Sequence, residues 1–154
     1  MKLCEAADGC LGKEEREERI KKGIEQARAF AAGADLYRLR MQYSMAVFML
    51  HQSAEHALHT IIKAGTGYHT ITHHLERLLG YAAMAAPDVN DVFPRNTEKD
   101  LHLFRLLQKA YSGSRYDVKY TVKGRDLQAL CERVGQLLDI AEAQVEKNIN
   151  GFEQ

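Results

Sequence analysis

A basic, tyrosine-rich stretch between residues 105 and 125 is the part of this sequence best suited to binding chemistry. Its only acid is Asp117, and it carries six cations: Arg105, Lys109, Arg115, Lys119, Lys123 and Arg125. Interleaved with them are three tyrosines: Tyr111, Tyr116 and Tyr120. Guanidinium and ammonium groups bind phosphate oxygens, and aromatic rings stack on bases. The stretch therefore predicts a site for a nucleotide or a nucleic acid.

The same residues also have a purely structural interpretation. Tyr111 and Tyr116 would then fill the end of a helical bundle, and Arg115 would pair with Glu55. Clustered charge indicates a site only where the side chains converge, and the sequence by itself does not show convergence. Both interpretations therefore stay open at this point.

A polar seam runs along the edge of an apolar helix face earlier in the chain. Its members, His51, Glu55 and His59, recur at four-residue steps, which place them on one side of a helix. A histidine at such an edge is more often a hydrogen-bonded structural residue than a ligand. For His51 considered alone, we therefore favour the structural role.

The histidines around this seam raise the question of a metal site. Two histidines on one helix face can chelate zinc. The order here is H-x-x-x-E-H, which misses the H-x-x-E-H signature of a zinc protease class by one residue. Three further histidines in the following turn could join the seam only through folding: His69, His73 and His74. We expect no cofactor and no catalytic metal.

Composition narrows the class of protein. A chain of 154 residues fits one domain, and its 21 basic and 21 acidic residues cancel, so no overall field attracts nucleic acid or membrane. The three cysteines, Cys4, Cys10 and Cys131, are odd in number, which argues against a disulfide framework and favours a reducing compartment. We find no signal peptide and no apolar run that would span a membrane. A cytoplasmic protein is expected.

Helical periodicity dominates the rest of the chain and predicts an all-α fold. After a flexible leader at residues 1–12, the patterns predict four main helices and one short helix in an up-and-down bundle, a single domain over 13–150. No proline separates the first two helices, so the pattern alone determines their junction near Arg40–Gln42 poorly, whereas Gly65–Gly67 clearly ends the second. The short helix covers about 73–85 and is followed by a predicted loop at 88–94. The fourth helix opens at a capping box of Thr97 and Asp100 and gives way to a predicted turn in the stretch 110–120, with only a weak strand pattern at 118–122. The last helix ends near 148–151.

Four segments together resemble the HEPN superfamily. They are Phe48–Glu55 (FMLHQSAE), Gly67–His73 (GYHTITH), Phe93–Glu98 (FPRNTE) and Ala110–Tyr116 (AYSGSRY). The resemblance extends over about residues 25 to 147 and is strongest to the bacterial branch encoded beside minimal nucleotidyltransferase domains.

This resemblance implies a helical bundle that is commonly dimeric, with a polar cleft near the pairing surface. It implies a helix boundary near Arg40–Gln42. It also implies that Glu55, His73, Arg115 and Tyr116 face one another around the cleft. Ribonuclease members carry a histidine after the arginine, at positions occupied here by Tyr120, Thr121 and Val122. Tyrosine, with an ordinary pKa near 10, replaces imidazole poorly in proton transfer.

Three functions follow, in order of preference. The first is a non-catalytic nucleotide- or nucleic-acid-binding domain acting with a nucleotidyltransferase partner. The second is a toxin-type ribonuclease in which His73 or His51 replaces the missing histidine, and the third is a purely structural module for dimerisation or docking. The candidate binding residues are Arg115, Tyr116, Lys119, Tyr120, His73, Glu55, His51 and Tyr111.

Overall fold

Helices account for nearly all of the regular structure. The computed structural model describes residues 12–151, apart from the side chains of Arg115 and Asn150. Within that range the chain forms seven helices and no strand: α1 Lys13–Leu39, α2 Tyr43–Thr66, α3 Leu75–Ala85, α4 Val89–Val92, α5 Glu98–Gln108, α6 Ala110–Tyr116 and α7 Gly124–Gly151. The predicted all-α bundle is confirmed. The proposed leader falls outside the described range except for Gly12, which precedes α1.

Helix α2 is the central element of the bundle. Thirteen of its 24 residues are buried, and it packs against α1, α3, α5, α6 and α7. Apolar side chains such as Leu50, Leu58 and Ile61 recur on it at helical spacing and are almost completely buried. So little of α2 faces solvent that the polar residues it carries must either find partners or line a cavity.

The connection between α1 and α2 takes three residues, which makes the two helices an antiparallel pair. Met41 adopts a left-handed conformation with φ of 59°. The amide of Gln42 donates to the carbonyl of Tyr37, and that of Met41 donates to the carbonyl of Arg38. This is a Schellman motif with methionine at the position that usually holds glycine. The boundary near Arg40–Gln42 is confirmed.

Two polar side chains attach the long helices to α2 inside the bundle. The buried hydroxyl of Ser53 donates to the carbonyl of Ala27 in α1 over 2.6 Å. The amide of Asn148 in α7 donates to the carbonyl of Ala64 near the end of α2. Each bond joins residues far apart in sequence, so together they fix the positions of α1 and α7 along the central helix.

Two regions differ from the sequence prediction, and one helix start agrees with it. The third helix begins at Leu75 and not at His73, because residues 68–74 form a separate connection. Residues 88–94, predicted as a loop, contain the one-turn helix α4. The helix predicted to open at the capping box, α5, begins as predicted, with the side chain of Thr97 accepting from the amide of Asp100.

The stretch 110–120, predicted to be a turn, is helical for most of its length. Helix α6 continues to Tyr116, passing through Gly113. The ring of Tyr120 covers this glycine so closely that a Cβ there would lie 2.7 Å from a ring carbon. The glycine is therefore a packing position and does not end the helix. The weak strand pattern at 118–122 forms no strand either.

No helix in the described range combines the length and apolar character needed to cross a lipid bilayer.

Candidate functional site

A cavity of about 550 Å³ opens between α1, α2 and the segment that follows α2. We call it the interhelical cavity. Its lining includes Arg19 and Lys22 from α1, and Glu55, His59 and Lys63 from α2. Segment 68–74 adds His69, Thr70 and His73, and Tyr111 of α6 completes the wall. The volume lies in the range of small-molecule sites.

Two members of the polar seam of α2, Glu55 and His59, line this cavity, and His51 lies one turn before Glu55 outside the lining. His51 and Glu55 are buried, and His59 is half-buried. Burial lowers the pKa of both His51 and His59, against the opposing effect of the nearby Glu55 carboxylate. Both imidazoles are therefore neutral at physiological pH, with a ring nitrogen lone pair available.

His73 reaches the seam from the segment between α2 and α3. Its Nδ1 donates a hydrogen bond to Oε1 of Glu55, although most of the His73 side chain is exposed. The other carboxylate oxygen, Oε2, lies 3.8 Å from Nδ1 of His51. The His59 and His73 rings meet edge-on, with centroids 6.3 Å apart. One carboxylate thus sits among three imidazoles.

The segment that carries His73 is shaped by its own threonines. Gly67, with φ of 76°, ends α2 in the left-handed region, and its amide donates to the carbonyl of Lys63. Thr70 and Thr72 each accept, through the side-chain oxygen, from the backbone amide two residues ahead. Such local turns replace the backbone hydrogen bonds that a helix would supply. They let the chain double back over the seam before α3 begins.

Tyr111 links α6 to the seam. Its ring centroid lies 5.7 Å from that of His51 and 6.2 Å from that of Phe48, and about half of the residue is exposed. The tyrosine therefore packs against the bundle and also lines the interhelical cavity.

Arg115 and Tyr116 follow Tyr111 in the same helix. The backbone of Arg115 belongs to α6, one turn after Tyr111, and its side chain lies outside the described part of the structure. Tyr116 is 76 % exposed and does not line the interhelical cavity.

Lys119 and Tyr120 lie apart from the seam. They border a second depression together with Arg105 and Lys109, and this depression shares no lining residue with the interhelical cavity. The hydroxyl of Tyr120 donates to the carbonyl of Leu106 over 2.7 Å. Burial raises the pKa of this phenol well above its usual range. Tyr120 therefore fastens the segment after α6 to α5.

Three cations of the cavity were not among the candidate residues drawn from the sequence: Arg19, Lys22 and Lys63. In the sequence, Arg19 and Lys22 belong to a run of charged residues that is typical of a solvent-exposed helix face. The available signal was the run of small residues further along α1, which predicts a close approach of α1 to α2. Against these three cations, Glu55 is the one acid among the described residues of the lining.

Comparison with known proteins gives one result. The sequence model of the HEPN domain matches residues 20–144, which is most of the chain and includes every residue of the seam. A search of curated proteins finds no match.

Proposed function

Because the chain belongs to the HEPN domain family, we propose that it is a nucleotide- or RNA-binding domain that holds its ligand in the interhelical cavity. One observation carries the proposal. The cavity combines three cations, Arg19, Lys22 and Lys63, with the rings of Tyr111 and four of the chain's seven histidines.

The lining suits a nucleotide in two ways. Arginine and lysine bind phosphate oxygens through charge-assisted hydrogen bonds, and the two helices present their cations to one space. Bases stack on tyrosine and histidine rings whatever their sequence. Phosphate would lie toward Lys22 and Lys63, and the base toward Tyr111.

Binding without cleavage is the function we favour. The family's ribonuclease motif needs an imidazole near position 120, and Tyr120 there is committed to the carbonyl of Leu106. Because burial raises its pKa, Tyr120 is present as phenolate at neutral pH even less often than an ordinary tyrosine, and its phenol is a weaker acid. The motif therefore lacks its proton-transfer group.

A ribonuclease is the second candidate because of the Glu55–His73 hydrogen bond. A carboxylate that orients an imidazole is a common arrangement for a general base. His73 is exposed and lies at the cavity mouth, so it could replace the missing histidine. We rank this below simple binding because Tyr120 stands where the ribonuclease motif has its histidine.

The remaining elements of the proposal come from the resemblance described above. We propose membership of the branch that accompanies minimal nucleotidyltransferases, a homodimer, a nucleotidyltransferase as partner and a cytoplasmic location. Arg115 stays a candidate phosphate ligand on sequence grounds, since it follows the cavity residue Tyr111 by one turn of α6.

Thermal unfolding with added nucleotides tests this proposal. At ten times its Kd, a ligand that binds only the folded state adds about 1.4 kcal/mol, or roughly 3–5 °C in Tm for a domain of this size. We expect this shift with ATP in the presence of chelator. Lys22→Glu should remove it. Lys21→Glu should retain it, because Lys21 is exposed beside Lys22 but does not line the cavity.

The same preparation distinguishes the two candidates. Transfer RNA incubated with the wild-type protein should bind and stay intact. Cleavage that disappears in His73→Ala would establish the ribonuclease instead. If no nucleotide or RNA raises the Tm, or if Lys21→Glu abolishes the shift as fully as Lys22→Glu, the cavity is not the binding site.

A further inference from the structure

We propose that Glu55, His59 and His73 form a binding site for a divalent transition-metal ion, with zinc the best chemical match. Each of the three residues offers one ligand atom, and these atoms all lie within 4.8 Å of one another. Two of the ligands come from adjacent turns of α2, and the third comes from the connection to α3. The inference concerns the metal alone and does not depend on nucleotide binding.

The donor set fits zinc. Two imidazoles and one carboxylate are a known ligand combination for zinc sites that keep a coordination position open. Zinc–ligand distances of about 2.0–2.2 Å in a tetrahedron place the ligand atoms roughly 3.3–3.5 Å apart. Because the ligand atoms lie within 4.8 Å of one another, the wider separations must shrink by up to about 1.5 Å. Nδ1 of His73 and Oε1 of Glu55, already in hydrogen-bond contact, must instead move apart to admit the ion. His73 can supply most of this movement, because its side chain is 79 % exposed.

Neighbouring groups already limit the movement of two of the ligands. The ring of His59 faces the backbone of Thr72, and the second oxygen of Glu55 lies 3.8 Å from Nδ1 of His51. Metal-binding histidines commonly donate the other ring N–H to such a group, which fixes the ring for coordination. The buried Glu55 is rigidly placed on the central helix, so the site has one fixed ligand and one adjustable one.

The hydrogen bond between His73 and Glu55 occupies the place that the metal would take. Coordination through Nδ1 requires its lone pair, so the Nδ1 proton is released or moves to Nε2 when the ion binds. Glu55 then exchanges a hydrogen-bond donor for a cation. Three protein ligands leave a position for water or for an oxygen of an anion held by the cations of the cavity.

Titration of untagged, chelator-stripped full-length protein with Co²⁺ alone tests the proposal. Co²⁺ in a four-coordinate site gives strong visible d–d bands, and we expect these bands to saturate at one ion per chain. Zinc should then displace the cobalt. Sulfur-to-cobalt charge transfer in the near ultraviolet should be absent, which separates this site from the cysteines.

Variants identify the ligands. His59→Ala and His73→Ala should each weaken Co²⁺ binding at least tenfold, and Glu55→Gln should do so while keeping the side-chain shape. His69→Ala is the matched control, since His69 lines the same cavity from the same segment but lies outside the ligand group. Circular dichroism confirms that each variant is folded.

The outcomes separate this inference from the proposed function. The metal site is overturned if no d–d bands appear, or if His73→Ala gives bands of the same strength as wild type. Neither result affects the rise in Tm that ATP is expected to cause in the presence of chelator. Conversely, a one-to-one cobalt site that depends on His59 and His73 supports the metal site even if no nucleotide binds.

Discussion

The imidazole of His73 donates to the buried carboxylate of Glu55, joining residues that stand 18 positions apart. This contact closes the segment 68–74 over the central helix and defines the mouth of the interhelical cavity. The contact joins a side chain held in place by burial in α2, Glu55, to a largely exposed side chain that has room to move, His73. The stability of the segment and the chemistry of the cavity therefore depend on the same hydrogen bond.

Removing His73 should loosen the segment more than it destabilises the bundle. In His73→Ala the carboxylate of Glu55 stays buried and loses its donor, which we expect to cost about 1 kcal/mol in the free energy of unfolding. Urea denaturation measures this loss. In a double-mutant cycle with Glu55→Gln, most of the loss should appear as a coupling energy between residues 55 and 73. Hydrogen exchange should rise at residues 68–74 and stay unchanged in α7. Uniform acceleration across all helices would contradict a local role for the bond.

Gly65 and Gly135 should respond in opposite directions to the same substitution. A Cβ on Gly65 would lie 2.2 Å from the Cβ of Ala85, because α2 and α3 approach closely there. Gly65→Ala should therefore cost about 1–3 kcal/mol. Gly135 lies inside α7 with no atom within 4 Å of an added Cβ, so Gly135→Ala should stabilise by up to about 1 kcal/mol. Chemical denaturation of the pair measures both, and a neutral Gly65→Ala would refute the close packing.

Tyr120 should make the protein less stable in alkaline solution. Its pKa is raised by burial, whereas in the unfolded chain the phenol ionises near pH 10. Below pH 10 the phenol is protonated in both the folded and the unfolded chain, so its contribution to the free energy of unfolding is fully present. Above pH 10 the unfolded chain alone releases the proton, so stability falls as pH rises toward the raised pKa.

The variant Tyr120→Phe isolates this effect. At pH 7 it should lose about 1 kcal/mol with the hydrogen bond to Leu106. The difference between wild type and variant, measured by urea unfolding at a series of pH values, should shrink above pH 10. A difference that stays constant to pH 11 would mean that Tyr120 ionises equally in both states.

Met41→Gly should stabilise the protein. Methionine in the left-handed region is strained, and glycine is not. Met41 is also 74 % exposed, so few contacts are lost with its side chain. Glycine also gives the unfolded chain more conformational freedom, which offsets part of this effect. We therefore expect the free energy of unfolding to rise by about 0.5–1 kcal/mol. Thermal unfolding checks this, with Met84→Gly as the control at an exposed helical methionine, where the same change should destabilise.

Most of the fold could be predicted because the apolar residues recur at helical spacing. Thr97 and Gly67 marked helix ends through side-chain and backbone chemistry that operates locally. The end of α1 was not readable from the pattern, since Met41 fills a position where glycine is usual. Helix α6 was missed because Gly113 usually indicates a break. Here Gly113 lies inside the helix because the ring of Tyr120 packs against it and leaves no room for a side chain, which is a tertiary contact.

The candidate site was only partly predictable for a related reason. The seam of His51, Glu55 and His59 follows from spacing within one helix. The contact of Glu55 with His73 depends on how segment 68–74 turns, and no periodicity encodes that turn. The contribution of Lys22 depends on how α1 packs on α2. Residues near one another in sequence, such as Tyr111 and Lys119, end in different depressions.

Tyr111 should contribute to base binding and not to phosphate binding. Its ring lies in the cavity wall beside His51 and remains half exposed, so it can stack on a base. Stacking is worth about 1–3 kcal/mol per base. Tyr111→Ala should therefore weaken ATP binding at least fivefold and leave inorganic tripolyphosphate binding unchanged. Tyr116→Ala is the matched control, because Tyr116 lies in the same helix but outside the cavity lining. Isothermal titration of both ligands in chelator measures the difference. An equal loss of ATP and tripolyphosphate affinity in Tyr111→Ala would show that the tyrosine supports the shape of the cavity and makes no contact with the base.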